Sequence, residues 1–333
     1  MKILIIRLSS LGDIVLAALL VRRLRVTFPD AQIDFVTGAP YRLLLDAFPD
    51  LDGRFVPKID SLGDYDIVFD LQNNLRSRKL AGRLHAQRVI RFHRLRINRF
   101  FRIHFPTLRN RLSTPEHIAR QYLKTADCLG VTDDGSMPVL VPPTEWVAST
   151  KVLLTQNGLS GDNLLLVAVG GRHKTKIWPM EKWIDFLTLI HARGFTEIAI
   201  IGSISDVLAA EHIVKKLALP VVTFAGKTDM TELIGLIASA KLLVCGDSGP
   251  MHISAAVGTP VVAIFGPTVQ EFGFAPFTDK SRVVEVPSLE CRPCHPHGPE
   301  KCPLGHFRCM LDISPEMVLQ KALELVTPPG KTP

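Results

Sequence analysis

Short aliphatic runs alternate with amphipathic segments along most of this chain of 333 residues. The first run, residues 2–8, contains few polar residues, which is typical of a strand buried on both faces of a parallel sheet. A polar turn, Ser9–Asp13, follows it, and apolar residues then recur at helical spacing from Ile14 to Leu24. The pattern therefore predicts a strand, a turn and an amphipathic helix.

The same alternation continues along the chain and is interrupted at residues 131–144, where paired prolines follow acidic residues and a glycine. We predict further strands at 33–37, 66–71, 88–92, 164–169, 197–201, 242–245 and 260–266, and further helices at 180–192, 206–217, 231–239 and 314–326. Two successive alternations indicate an α/β protein with two Rossmann-like, doubly wound parallel sheets. We place an N-terminal domain at 1–145 and a C-terminal domain at 146–327.

The composition is that of a globular protein with a sizeable core, at 47% hydrophobic and 21% charged residues. No apolar run approaches the roughly 20 residues that cross a bilayer. The first run is too short for an export signal, and Arg7 ends it. We therefore expect a cytoplasmic protein.

The net charge of +7 is concentrated in one window, residues 76–111, which contains twelve Lys or Arg and no Asp or Glu. A solvated face normally mixes both signs, so an acidic ligand explains this window better. Anionic lipid headgroups, a phosphorylated glycolipid or nucleic acid would each suit such a patch. The candidate contact residues are Arg76, Arg78, Lys79, Arg83, Arg91, Arg94 and Arg96.

A turn of small residues, Gly246–His252, lies between two aliphatic runs and opens a short predicted helix. Such a turn presents backbone N–H groups and the positive end of a helix to a phosphate. In an open parallel sheet, this place at the carboxyl ends of the strands is the usual ligand site. The alternative is an ordinary turn in which Asp247 and Ser248 only cap the helix.

Three further charged residues that could bind a ligand follow predicted strands. Asp13 either caps its helix or acts as a general base towards a substrate hydroxyl. The loop 170–179 combines two glycines with cations that include Lys176, which suits a pyrophosphate or an exposed basic loop before Pro179. Asp206 would bind ribose hydroxyls or cap a helix.

Taken together and in order, Ser9–Asp13, Lys176–Pro179, Asp247–His252 and Gly258–Pro260 resemble glycosyltransferase family 9. These are the ADP-heptose:lipopolysaccharide heptosyltransferases of Gram-negative bacteria. The resemblance extends from Met1 to about residue 326. It implies a GT-B fold, in which two Rossmann-like domains flank an interdomain cleft. It also implies inverting transfer of heptose from ADP-heptose to the inner core of lipopolysaccharide, with no cofactor or metal required for catalysis.

The resemblance assigns a role to each candidate residue. Asp13 would be the general base, Lys176 would neutralise the leaving diphosphate, and Asp247 would hold sugar hydroxyls. The remaining implied donor contacts are Ser248, Gly249, His252 and Asp206. The basic window falls in the acceptor domain, so the expected partner is Kdo-lipid A or a heptosylated core. We therefore expect a peripheral protein at the cytoplasmic face of the inner membrane and no nucleic-acid partner.

Four cysteines lie within nineteen residues, with three histidines among them. They are Cys291, Cys294, Cys302 and Cys309. In a cytoplasmic chain this density suggests a closed structural zinc or iron site rather than disulfides. The alternative is a set of reduced thiols in a folded loop. Cys128 and Cys245 are predicted to be core residues.

Two other functions are also compatible with the sequence. A nucleotide-sugar epimerase on the same fold would act on the donor alone. A basic membrane-binding or nucleic-acid-binding protein would keep its salt-sensitive binding after Asp13→Ala or Asp247→Ala.

Overall fold

The computed structural model describes residues 1–57, 62–93, 96–105, 112–287 and 289–326, without the side chains of 96 and 97. The chain divides into two compact units. The first unit comprises Met1–Leu95 and Glu116–Pro143, and the second comprises Arg96–Pro115 and Thr144–Pro333. Among the described residues, no helix is both long and apolar enough to cross a membrane.

The first unit is built on a parallel five-stranded sheet. Its strands are β1 (Lys2–Ile6), β2 (Gln32–Val36), β3 (Gly53–Phe55), β4 (Tyr65–Asp70) and β5 (Ala86–Arg91). They lie in the order β3-β2-β1-β4-β5, and every pair is parallel. The central strand β1 is buried after Lys2 because its aliphatic residues are covered on both faces of the sheet.

Short helices lie between these strands or follow the last of them. They are α1 (Leu11–Leu16), α2 (Ala18–Thr27), α3 (Leu75–Ala81), α4 (Arg96–His104, in the second unit) and α5 (Ile118–Leu123). The helix predicted from Ile14 therefore begins three residues earlier and is divided at Ala17. This places Asp13 in the first turn of α1.

The second unit repeats the architecture with six parallel strands. They are β6 (Leu164–Ala168), β7 (Glu197–Ile201), β8 (Val221–Thr223), β9 (Leu242–Gly246), β10 (Val261–Phe265) and β11 (Ser281–Glu285). Their order is β11-β10-β9-β6-β7-β8. In both sheets the chain starts in the middle, runs to one edge and returns to the other side, which is the doubly wound arrangement. The two predicted Rossmann-like sheets are thus confirmed.

Seven helices of the second unit follow α5 in the described part of the chain. They are α6 (Thr144–Gln156), α7 (Met180–His191), α8 (Val207–Lys216), α9 (Met230–Ser239), α10 (Gly249–Val257), α11 (Arg308–Leu311) and α12 (Pro315–Val326). Trp178 and Trp183 pack edge to face in the core beside them, with ring centroids 5.0 Å apart. Trp178 Nε1 also donates to the Ile313 carbonyl at 3.2 Å, which anchors the end of the loop after β6.

The segment that begins with α4 groups with the second unit, although the sequence analysis places it in the first domain. Arg99 explains the difference. Its Nη2 donates to the Phe272 carbonyl at 2.8 Å. Its guanidinium lies 5.1 Å from the ring centroid of Phe272 and 4.9 Å from that of Phe274. A cation buried between two aromatic rings is a strong local anchor.

Candidate active site

Three predicted site residues lie at the places where the strand order reverses. Asp13 follows β1, beside the boundary between β1 and β4. Lys176 follows β6 and Asp247 follows β9, the neighbouring strands at which the second sheet reverses. Loops at such a point diverge to opposite faces of the sheet and leave a crevice for ligands. The topology therefore places a candidate site in each unit.

Asp13 is 9% exposed, and both oxygens of its carboxylate have partners. Its Oδ2 lies 2.7 Å from Arg7 Nη2 and accepts a hydrogen bond from the Ser10 hydroxyl at 2.8 Å. Its Oδ1 accepts a hydrogen bond from the Tyr122 hydroxyl at 2.9 Å. The contact with Ser10 forms a capping box at the start of α1. Capping thus occurs, but two further groups also fix this carboxylate.

Arg7 is the charge that makes this burial tolerable. It is 7% exposed, and its Nη1 donates to the Leu71 carbonyl at 2.6 Å. Burial alone would lower the pKa of Arg7, but Tyr122 and Asp13 raise it above its ordinary value. A guanidinium that stays charged stabilises an ionised and oriented carboxylate. The Asp13 carboxylate is therefore held in one position by its partners.

Lys176 and Asp247 form the centre of the site in the second unit. Lys176 Nζ lies 2.6 Å from Asp247 Oδ2, and the two side chains are 14% and 13% exposed. The Thr268 hydroxyl donates to the same carboxylate oxygen at 2.8 Å. Lys176 is the last residue of a short 3₁₀ helix, two positions before the buried Trp178. The structure thus brings together two residues that the sequence analysis selected separately.

The N-terminus of α10 completes this site. Ser248 is the N-cap residue, and its hydroxyl donates to the Gly246 carbonyl at 3.1 Å. The helix runs for nine residues from Gly249. The N–H groups of a first helical turn have no partner within the helix, and the helix dipole favours an anion there. His252, further along α10, is 5% exposed and packs against the Phe274 ring.

Asp206 caps a helix and also borders the loop after β6. Its Oδ2 accepts from the Ser203 N–H at 2.8 Å and from the Ser203 hydroxyl at 2.7 Å. Its carboxylate also packs directly on Gly170, where any Cβ would collide with it. Asp206 therefore lies beside the start of the loop that carries Lys176.

The basic window contributes a cavity to the first unit. A cavity of 420 Å³ is lined by Arg78, Val89, Arg91 and His93. The Asn73 side chain accepts from Arg78 Nε at 2.8 Å and so orients this arginine. The other described members of the patch, Arg76, Lys79 and Arg83, are exposed. Arg94 lies outside the described residues, as does the side chain of Arg96.

The model of the family described as glycosyltransferase family 9 (heptosyltransferase) matches residues 61–303, well over half of the chain. The chain belongs to glycosyltransferase family 9. It is therefore a glycosyltransferase, as the motifs in its turns indicate.

Curated and solved relatives agree with this assignment. The family 9 chain is 28% identical to lipooligosaccharide heptosyltransferase 2 of Haemophilus influenzae, with 98% of this chain and 99% of that protein covered. A family 9 structure from Veillonella parvula matches with a TM-score of 0.80 at 22% identity, covering 98% and 97% of the two chains. The structure of E. coli ADP-heptose lps heptosyltransferase II matches with a TM-score of 0.74 at 22% identity, covering 98% of each chain. These likenesses confirm the predicted GT-B fold.

The possible structural metal site at the clustered cysteines of this family 9 enzyme stays a prediction. Cys291, Cys294 and Cys302 are partly buried, and Cys309 is buried. All six cysteines are described, and all are free thiols. Within the described ranges, no three His, Cys, Asp or Glu side chains are placed to hold a metal ion. Burial, with Cys291 and Cys302 nearby, raises the pKa of Cys294.

Three residues of the site escaped the sequence analysis. Arg7 carries a detectable signal, because it is a charge at the end of a buried strand. Tyr122 and Thr268 carry none, because they reach Asp13 and Asp247 only through tertiary contacts. Cys128, predicted to be a core residue, is exposed, because it lies in a short 3₁₀ helix from Lys124 to Leu129 on the surface of the first unit.

Proposed function

We propose that this family 9 enzyme transfers a heptosyl group from ADP-heptose to the inner core of lipopolysaccharide. The acceptor would be Kdo-lipid A or a core that already carries heptose. The observation that carries the proposal is the cluster at the second switch point. It combines a partly buried cation, a partly buried carboxylate and a helix N-terminus at the carboxyl ends of β6 and β9. Relatives named as heptosyltransferases support the choice of sugar.

The diphosphate of the donor fits the second unit. Lys176 and the N–H groups of Ser248 and Gly249 supply positive charge and donors for it. A bound diphosphate would draw Lys176 away from its contact with Asp247. The freed carboxylate would then accept hydrogen bonds from sugar hydroxyls, and Asp206 would accept them from the ribose.

Asp13 supplies the base. In an inverting transfer, the acceptor oxygen forms a bond to the anomeric carbon while the bond from that carbon to the diphosphate oxygen breaks. The proton of the acceptor hydroxyl goes to Asp13, and the leaving ADP keeps the bonding electrons. Arg7 and Tyr122 hold the carboxylate in one orientation, which is the main contribution of a positioned base.

The basic cavity suits the acceptor. Inner-core lipopolysaccharide carries acidic sugars and phosphates, and Arg78, Arg91 and His93 line a space that would admit one such group. The exposed cations Arg76, Lys79 and Arg83 would add weaker attraction to an anionic surface. We therefore place the enzyme at the cytoplasmic face of the inner membrane as a peripheral protein without a nucleic-acid partner.

The proposal is tested by the release of ADP from ADP-heptose, with and without heptose-deficient lipopolysaccharide. Asp13→Asn keeps the size of the side chain but removes its charge, so acceptor-dependent release should fall by roughly 10²-fold or more. Asp30→Asn, which changes an exposed carboxylate, should leave it unchanged.

Three other outcomes would count against parts of the proposal. Full activity of Asp13→Asn would show that Asp13 is not the base. Absence of acceptor-dependent release by the wild-type enzyme would overturn the heptosyl transfer. Turnover of the donor without any acceptor would instead favour the epimerase alternative, which family membership does not favour.

A further inference from the structure

The cysteine-rich segment, residues 289–309, has no part in the proposed chemistry, yet it contacts the loop that carries Lys176. The Thr175 hydroxyl donates a hydrogen bond to the Pro299 carbonyl. Next to it, His173 Nδ1 lies 3.7 Å from Glu300 Oε1. Thr175 is 5% exposed, so its hydrogen bond is shielded from solvent. The segment therefore lies directly along the loop after β6.

Gly298 brings the backbone of this segment against the lysine itself. A Cβ at this position would lie 3.1 Å from Lys176 Cγ and 3.3 Å from Lys176 Cε. Its φ of +86° is also in the region that favours glycine. The backbone at Gly298 thus packs on the aliphatic stem of Lys176 and restricts the conformations of a side chain that has several rotatable bonds.

The other end of the segment fixes the partner of Lys176. Arg292, 7% exposed, donates to the carbonyls of Phe265, Gly266 and Thr268, at the end of β10 and in the loop that follows it. This loop carries Thr268, whose hydroxyl donates to Asp247. One segment therefore contacts Lys176 through Gly298 and, through Arg292, the loop whose Thr268 donates to Asp247.

We infer that the cysteine-rich segment positions Lys176 and Asp247 to receive the diphosphate, with Thr175 and Gly298 as positioning residues. The inference rests on the proposed donor site. A cation whose stem is already packed loses less freedom when an anion binds, so preorganisation raises affinity. The segment does this through backbone contacts and Arg292.

The Thr175 hydroxyl is tested by two substitutions of similar size. Thr175→Val removes the donor and should weaken ADP binding, measured by calorimetry, by roughly 2- to 12-fold, the range for one net hydrogen bond. Thr175→Ser keeps the donor and should bind ADP within about twofold of the wild type. Thr188→Val is the matched control, because the exposed Thr188 hydroxyl also donates to a backbone carbonyl, that of Ile184.

Gly298→Ala tests the same contact by changing a residue of the cysteine-rich segment itself. Its matched control is Gly305→Ala, because Gly305 also has a positive φ, +71°, but within the described part of the chain no atom lies within 4 Å of its added Cβ. Gly298→Ala should weaken ADP binding by about tenfold relative to Gly305→Ala, since small displacements of a positioned group cost affinity.

A second readout works without ADP. Acylation of the Lys176 amine, followed by peptide mass spectrometry, should be several-fold faster in Thr175→Val and Gly298→Ala than in their controls. If the wild type binds no ADP, the proposed donor site fails while the acylation rates still decide the inference. Variants that match their controls in both readouts would overturn it, as would a Thr175→Ser that behaves like Thr175→Val.

Discussion

Replacing Arg7 by methionine removes the cation that neutralises the buried Asp13. At the observed 2.7 Å and an effective dielectric constant of about 20, the two charges attract by about 6 kcal/mol, and desolvation offsets much of this. Removing one partner of a buried pair typically costs about 3–5 kcal/mol, because the other charge stays buried. Tyr122 and Ser10 still donate to Asp13, so we expect the lower end, about 3 kcal/mol.

Native-state hydrogen exchange measures this loss of stability separately for each of the two units. A loss of about 3 kcal/mol corresponds to roughly 140-fold faster exchange of the slowest amides of β1. The amides of β6 in the second unit serve as the internal control and should not change. Arg7→Met combined with Asp13→Asn should recover much of the protection, because both charges are then absent. A change below about fivefold in β1, the range of an exposed ion pair, would refute this reasoning.

Three further predictions concern single side chains. Lys176→Ala should raise the dissociation constant of ADP by roughly 10- to 100-fold, as expected for a charge-assisted hydrogen bond, whereas Lys174→Ala, at an exposed position, should not. Arg91→Ala should raise KM for the lipopolysaccharide acceptor and leave KM for ADP-heptose unchanged in steady-state kinetics; equal changes in both would argue against the basic cavity as the acceptor site. Burial raises the pKa of Cys309 to about 12, so at pH 8 Ellman's reagent should label the exposed Cys128 first and the buried Cys309 slowly; equal rates at pH 8 would contradict this.

The architecture could be predicted from the sequence because aliphatic runs and helical spacing are local patterns. β1, β6, β9 and β10 are buried along nearly their whole length, and each is marked by an uninterrupted aliphatic run. The short edge strands β3 and β8 are only partly buried and were missed. Their sequences lack a distinctive pattern, and neighbouring strands determine their conformation.

The residues of the candidate site could be predicted from the sequence only in part. Asp13, Lys176 and Asp247 were found because each stands in a turn after a buried strand. The contact between Lys176 and Asp247 joins residues 71 positions apart, which no local pattern encodes. The same limit applies to Tyr122 at Asp13, 109 positions away.

The basic window shows how composition can mislead about accessibility. Its twelve basic residues carry the same charge, but those that the structure describes have different roles. Arg78 and Arg91 line a cavity, whereas Arg99 and Arg102 are buried and bind backbone carbonyls. Charge counts identify the region, and only tertiary contacts identify which cations remain available to a ligand.

The most direct test of the proposed transfer is the mass of the acceptor. Heptose-deficient lipopolysaccharide incubated with the enzyme and ADP-heptose should gain one heptosyl unit by mass spectrometry, and the gain should be lost with Asp13→Asn. Hydrolysed or epimerised donor with an acceptor of unchanged mass would contradict heptosyl transfer to this acceptor.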